Sequence, residues 1–417
     1  MNDVIITAFG ARDDGGVHTR EIQRAIDLCP AGGAVIVPAG RYVTGALELK
    51  SDMTLRILKN GCLLGSPDTK DYPIRQDHHE GREQLCYSSL ISTGPAPHRN
   101  ITIEGEGCID ANGGSLFSRE MEEGRAKRGK ALSIRNTEGL TIRGITVRNA
   151  AFWCVHVLYC RNILIDGVSV HTAYDSDGRK NPLLYNGDGI DLECCENALV
   201  ENCLIESQDD CLAVKSGRDA DGRRVGVPSS RIRVRNCRFR HGFGVAVGSE
   251  MSGGVRDVEV SGCDFADSFS IASIKCRRGR GNAIRNISFR DCTLANTDRS
   301  IRPTRWFKGI LYVDSSYGET DFDPDTAMPA DETTPEISDL KFENIEGTSC
   351  MGYGLYVCGL KEMPVRGVIL KNVRLKAEYD SYIVNAMDVR AESTVLEGKP
   401  GNIPYREQAW FREMKGG

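Results

Sequence analysis

One pattern recurs along most of the chain and limits what it can fold into: apolar-x-apolar-x-(Gly/Asn/Asp)-(apolar/Cys)-x-apolar. It reads LTIRGITV at 140–147, ILIDGVSV at 163–170, ALVENCLI at 198–205, IRVRNCRF at 232–239, VEVSGCDF at 258–265, ISFRDCTL at 287–294 and VILKNVRL at 368–375, with a looser copy, LKFENIEG, at 340–347. Period-2 alternation predicts short strands. The fifth positions, Gly144, Gly167, Asn202, Asn236, Gly262, Asp291, Asn344 and Asn372, tolerate left-handed backbone or a side-chain turn, so a bend is expected at each. Another strand follows many of the bends, as in FWCVHVLYC, DGIDLECC, DDCLAVKS, GVAVGSE, ASIKC, GILYV and GLYVC. Bends lie as close as 23 residues (Gly144 to Gly167), with longer gaps read as coils carrying inserted loops. Helix patterns are missing between the strands, which excludes βαβ units and leucine-rich repeats. The expectation is an all-β solenoid, a right-handed parallel β-helix. A β-propeller would need more even spacing and hairpin turns.

The N-terminal segment differs. Val4-Ile5-Ile6 reads as a strand and HTREIQRAIDLC as an amphipathic helix, with Thr19 as N-cap and Ile22, Ala25 and Ile26 on one face. A short helix ahead of a β array suits a cap over the terminal apolar layer. The chain therefore reads as a single domain over 1–417, with cap and first coils at 1–98, core coils at 99–380 and a tail or second cap at 381–417. Insertions at 172–185, 218–229 and 314–335 are expected to project from one face and build a cleft.

Composition narrows the partners. A net charge of −5 offers no basic field for nucleic acid or an anionic membrane, and no apolar run is long enough for a membrane span. The first residues, MNDVIITAFGARDDGG, lack a basic segment followed by an apolar one. This predicts a cytoplasmic protein, although a chain whose leader had been removed to act outside the cytoplasm would read the same. The sixteen cysteines include no CxxC pair and sit largely in alternating strands, which predicts reduced, buried thiols and no structural zinc.

Between Asn186 and Gly217 lie two acidic groups, Asp188/Asp191 and Asp209/Asp210. Asp188 and Asp209 are 21 residues apart, near one minimal coil, so stacking places them on one wall about 4.8 Å apart along the axis. Adjacent Asp209 and Asp210 can both reach that wall only if they straddle a bend. Crowded carboxylates hold a proton on one member, as general acid–base hydrolysis of a glycoside requires. Asp is also a turn former, and Asp191, Asp219 and Asp221 are read that way. Ca²⁺ held by clustered acids, as in lyases, is the other reading.

Three segments carry a resemblance: NGDGID at 186–191, QDDCLAVKSG at 208–217 and GSEMSGGVR at 248–256. Together with VPAGRYVTGALELKS and GSPDTKDYP near the N-terminus, they resemble the polygalacturonases of glycoside hydrolase family 28, the bacterial type, over nearly the whole chain. The resemblance implies a right-handed parallel β-helix and inverting hydrolysis of an α-linked uronide in pectin degradation. It implies Asp209 as general acid and Asp188 with Asp210 as the pair that activates water, with no cofactor and no metal. An inverting pair admits that water at about 6.5–9.5 Å between carboxyls. Lys275 matches the family lysine that meets the substrate carboxylate, and Arg278 and Arg280 match a bacterial extension.

Two positions depart from the family. Phe243 stands where its histidine is expected and Ser273 where its arginine is expected, which removes an imidazole and a bidentate carboxylate donor and adds an apolar face for a sugar. Either His241 and Arg277 swing in as replacements, or the substrate differs from plain galacturonan, with rhamnogalacturonan fragments as one such case. The partner expected is an oligo- or polysaccharide, and a cytoplasmic place suggests exo-action on imported oligosaccharides. The competing readings are a non-catalytic carbohydrate-binding β-helix and a Ca²⁺-dependent uronide lyase.

Overall fold

The computed structural model describes residues 3–172, 185–297, 305–401 and 411–413. The chain divides into two compact units, Met1–Asp209 and Asp210–Gly417. Both have the architecture of a right-handed parallel β-helix, as the repeat predicts.

In the first unit each coil contributes to three parallel ladders. One stacks Gly33–Val37, Met53–Ile57, His98–Gly105, Thr137–Arg143, Arg161–Asp166 and Glu196–Glu201. The second stacks Gly40–Thr44, Gly61–Gly65, Cys108–Asp110, Thr146–Arg148, Ser169–His171 and Leu204–Ser207. The third stacks Leu47–Leu49, Ile91–Thr93, Leu132–Arg135, Val155–Leu158 and Ile190–Glu193. The recurring octet is the end of a first-ladder strand, a bend and a second-ladder strand. Its apolar positions stack in register: Leu140 on Ile163 on Ala198, and Ile142 on Ile165 on Val200, all buried. Equivalent residues therefore form continuous apolar columns, and the sequence must repeat because the geometry does.

The second unit repeats the plan. Its third ladder stacks Leu212–Lys215, Val245–Val247, Ala272–Lys275, Gly309–Asp314 and Tyr353–Cys358. Longer strands such as Ala283–Asn296 run through the bend and serve two ladders. Phenylalanines fill the core columns, with Phe239 stacked on Phe265 at 4.7 Å.

Every predicted bend residue has left-handed backbone: Gly144 at φ 71°, Gly167 at 62°, Asn202 at 56°, Asn236 at 54°, Gly262 at 62°, Asp291 and Asn344 at 54° and Asn372 at 52°. Stacking turns their side chains into ladders. Asn344 Nδ2 donates to Asp291 Oδ1 at 2.8 Å, and Asn372 Nδ2 donates to Asn344 Oδ1 at 3.0 Å.

Helix α1, Thr19–Leu28, buries Ile22, Ala25 and Ile26 as expected. Thr19 is its first residue rather than its N-cap. The cap position is His18, and Thr19 Oγ1 instead accepts the Gly45 N–H at 2.7 Å, tying the helix to the first coil. The first strand stops at Ile5, where a single 3₁₀ turn begins. Two further helices correct the expectation of none between strands: α2, Gly114–Glu123, and α3, Asp219–Val225, both inside insertions and ended by left-handed Gly124 and Gly226. α3 is too short and polar to show a periodic stripe. An antiparallel hairpin, Ile74–His79 with Arg82–Tyr87, was also hidden by its charged sequence.

Coils continue past residue 380, with Ala386–Glu392 pairing on Val365–Val384, where the sequence suggested a tail. Residues 173–184 of one expected insertion, and 402–410 and 414–417 of the tail, lie outside the described residues. All sixteen cysteines are free thiols, thirteen of them buried, and several donate to carbonyls, as Cys203 Sγ does to Glu201 O at 3.1 Å. No helix among the described residues is long and apolar enough to cross a membrane.

Replacing Asn344 by Val should destabilise the fold by about 1–2 kcal/mol, because a β-branched residue resists left-handed backbone. Asn344→Gly should be milder. Thermal unfolding of the two variants checks the order.

Candidate active site

The third ladder carries the site because it alternates differently from the other two. Its inward residues are apolar, as in Val157 and Leu192. Most of its outward residues are polar and nonetheless buried. In the first unit Ser133, His156 and Asp191 share one outward column. In the second, Ala246, Ser273, Tyr312 and Tyr356 share one, and Lys275, Asp314 and Cys358 another. Buried polar side chains on the outside of a coil mean that something covers them, and the insertions do.

Asp188 stands just before the strand Ile190–Glu193, and its carbonyl accepts the Cys154 N–H at 2.9 Å. The preceding residues are fastened from two sides. Thr172 Oγ1 donates to Gly187 O at 2.5 Å, and Arg128 donates to Tyr185 O at 3.0 Å and Asn186 Oδ1 at 3.1 Å. Asp209 occupies the bend after Leu204–Ser207, where its N–H faces Gly187 O at 3.4 Å. Asp188 is 3% exposed and Asp209 half-buried, and each brings a carboxylate oxygen within 4.8 Å of the other. Acids on neighbouring coils meet in this way because the ladder rises about 4.8 Å per coil.

Asp210 follows through one peptide bond and opens the second unit. It is 3% exposed, and Lys275 Nζ donates to both its carboxylate oxygens, at 3.0 and 2.8 Å. The ammonium also lies 4.6 Å from the centre of the Phe307 ring and 5.0 Å from that of Tyr317. Phe243 is half-buried and stacks face to face on Phe307 at 3.3 Å, with Phe269 edge-on. Ser273 has no exposed surface, and its hydroxyl donates to Phe243 O at 3.2 Å. The two positions that depart from the family pattern are thus joined by a hydrogen bond.

The basic residues of the motif are drawn into carboxylate pairs. Arg278 meets Glu362 at 2.8 and 3.1 Å and Glu319 at 3.5 Å. Arg280 is buried, donates to Ser249 O at 2.8 Å and pairs with Asp219 and Glu250, which also faces Lys215 at 3.6 Å. His241 ends the strand Arg238–His241 with left-handed backbone, half-buried. Asp191 is not a turn residue: it lies mid-strand with no exposed surface. Asp219 does adopt a left-handed turn conformation, at the start of α3.

Sequence reasoning missed two groups. Asp314, in register with Lys275, accepts from Tyr312 Oη and from Ser316 N and Oγ, each at 2.7 Å, and burial holds its carboxyl above the usual range. In the first unit Glu193, with no exposed surface, lies between His78 and His156, whose Nε2 atoms are each 3.0 Å from one of its oxygens. Burial disfavours charge on His78, but the Glu193 and Glu83 carboxylates raise it to about 9. Burial lowers His156 to about 4, while the two histidines hold Glu193 well below its ordinary value against its own burial. Only alternation marked Glu193 as outward-facing; nothing in the sequence joined it to His78.

Stacked carboxylates on the outward face of a parallel β-helix place acid–base groups together on one wall. The chain matches the sequence model of glycosyl hydrolases family 28 over residues 87–393 and belongs to that family, the glycosidases that hydrolyse O-glycosyl bonds. It is 30% identical over 383 residues to a probable polygalacturonase of Vitis vinifera, covering 88% of this chain and 73% of the relative. It is 31% identical over 301 residues to an exo-poly-alpha-D-galacturonosidase of Dickeya chrysanthemi, covering 61% of this chain and 48% of that one. Among solved structures, the exopolygalacturonase of Thermotoga maritima superposes with a TM-score of 0.77 at 26% identity, over 90% of this chain and 87% of that one.

Lys275→Met should lower stability by about 3–5 kcal/mol, since it strands the buried Asp210 carboxylate, and should reduce activity. Denaturant titration alongside an activity assay tests both. The pH profile has a separate origin. The His78 pairing is fully present below pH ~6.5 and fades as pH rises through about 9. Below ~6.5 the reluctance of His156 to protonate erodes stability, and below ~4.5 so does protonation of Glu193. Melting temperature should therefore peak near pH ~6–7, and His78→Gln should flatten its alkaline decline.

Proposed function

We propose that this protein hydrolyses α-linked galacturonides with inversion, releasing product from chain ends. The observation that carries the reading is the family 28 match of a chain whose Asp188 and Asp209 carboxylates meet on one wall; inversion follows the family rather than their separation. Asp209, the less buried of the two, protonates the leaving oxygen. Asp188 deprotonates the water that attacks the anomeric carbon from the opposite side, a role that the family resemblance extends to Asp210. Lys275 neutralises Asp210 and, by the family resemblance, meets the substrate carboxylate. Exo-action and galacturonan as substrate follow the exo-acting relatives named above. The Phe243 ring, stacked on Phe307 under the Lys275 ammonium, offers a sugar ring an apolar face beside a cation.

Asp209→Asn should cut turnover about 10²–10⁴-fold with the fold retained. Reducing-sugar release and product masses on homogalacturonan, rhamnogalacturonan and their oligomers measure this; equal rates in mutant and wild type would remove Asp209 from the mechanism. Proton NMR of the first turnovers should show the new reducing end as the β-anomer. The α-anomer appearing first would mean retention and a different role for Asp188.

A further inference from the structure

The second ladder of the first unit carries a cysteine on its outside at two successive rungs. In Gly61–Gly65, Leu63 points into the core with no exposed surface, and Cys62 lies half-buried on the opposite face. In Cys108–Asp110, Ile109 is the inward residue and Cys108 the half-buried outward one. The two strands pair with Cys62 opposite Cys108 and Leu63 opposite Ile109. Parallel register sets the two cysteine Cα atoms one ladder step apart, about 4.8 Å, inside the roughly 4.4–6.8 Å span of a disulfide. Both side chains leave the sheet on the same face, and the thiols are hydrogen-bonded to each other. The column continues with Arg41 one coil before Cys62 and Thr146 one coil after Cys108.

Core packing does not account for this pair. Thirteen of the other fourteen cysteines are buried, and the remaining one, Cys350, is exposed. Cysteines also meet in the second unit, Cys263 with Cys237 and Cys292, but all three are buried. Cys62 and Cys108 touch each other where solvent reaches them. Their surroundings divide the work between them. The hydrogen bond from Cys108 lowers the Cys62 thiol below its ordinary value; burial and the Asp110 carboxylate oppose the shift, and the Arg148 and Arg41 guanidiniums assist it. The same bond, together with burial, raises Cys108. One thiol is thus prepared to attack, and its neighbour keeps a proton until a mixed disulfide has to be resolved.

We propose that Cys62 and Cys108 form a thiol–disulfide exchange site for low-molecular-weight disulfides, which staples two coils of the first unit on oxidation and frees them on reduction. The Cys62 thiolate attacks one sulfur of the small disulfide, whose S–S bond breaks and whose other half leaves as a thiolate. Cys108 then gives up its proton and attacks the Cys62 sulfur of the mixed disulfide, expelling the second half. Two protein thiols are oxidised to one disulfide, and the small disulfide is reduced to two thiols that take up the two protons. Cys62 and Cys108 lie 46 positions apart, the widest step between rungs of this ladder in the first unit. A bridge here therefore removes more freedom from the unfolded chain than one at any other rung of that ladder would. The site is independent of the hydrolytic reading.

The test uses the full chain carrying Cys350→Ser, which removes the exposed thiol, and oxidised glutathione as the probe. The intact protein should lose two hydrogens with no glutathione retained, and peptide mapping by mass spectrometry should join Cys62 to Cys108. Adding Cys108→Ser should leave Cys62 carrying one glutathione. Adding Cys62→Ser instead should leave Cys108 a thiol over the same exposure. The melting temperature of the parent should rise by roughly 2–8 °C on oxidation, return on treatment with dithiothreitol, and not rise in either serine variant. The same melting curves report that each variant folds, and the parent protein alone decides the case should one of them not fold. Two intact thiols after exposure to oxidised glutathione would overturn the proposal, as would a bridge between any other pair of cysteines or an oxidised protein that melts where the reduced one does.

Discussion

In-register stacking of parallel strands is the constraint on which everything else here depends. A coil can lie on its neighbour only if apolar residues meet apolar residues and each corner turns at the same place. Leu140, Ile163 and Ala198 form one column under that rule, and Ile142, Ile165 and Val200 another. The corners at Gly144, Gly167 and Asn202 turn left-handed under it as well. The same rule operates on the outside of the third ladder, where it stacks chemistry instead of hydrocarbon. Asp188 and Asp209 approach each other because a fixed rise of about 4.8 Å leaves residues on neighbouring coils little choice.

Like charges brought together this way need counterweights, and each unit supplies its own. In the second, Lys275 spans both oxygens of Asp210, and its ammonium lies over the Phe307 and Tyr317 rings. Phe243 and Ser273 belong to this packing. The serine hydroxyl bonds the phenylalanine carbonyl, and the ring stacks on Phe307. A buried Ser273 beside a stacked Phe243 is a packed substitute for the polar pair the family pattern places there. In the first unit, Glu193 is buried by a hairpin that brings its own histidine.

Local signals were strong where one residue type answers one backbone demand. The bends were legible because left-handed backbone selects Gly, Asn and Asp. The strands were legible because a face buried on one side alternates. The meeting of Asp188 and Asp209 on one wall was legible from their 21-residue spacing. Thr19 failed as a cap because Gly45, distant in sequence, claimed its hydroxyl. Asp191 failed as a turn because alternation continues through it into a strand. α3 and the hairpin were illegible because short, charged segments bury too little to leave a period.

The sequence by itself determined the coil, its corners, the acids on its wall and the family to which the chain belongs, since each follows from residues local to one coil or from a repeat of them. Tertiary structure decided what the outward face is for. Which carboxylate Lys275 neutralises depends on how separate coils stack, and where Arg278 and Arg280 place their charge and how His78 reaches Glu193 across 115 positions depend on segments folding back over the ladder. No periodicity encodes those contacts, because each is made once.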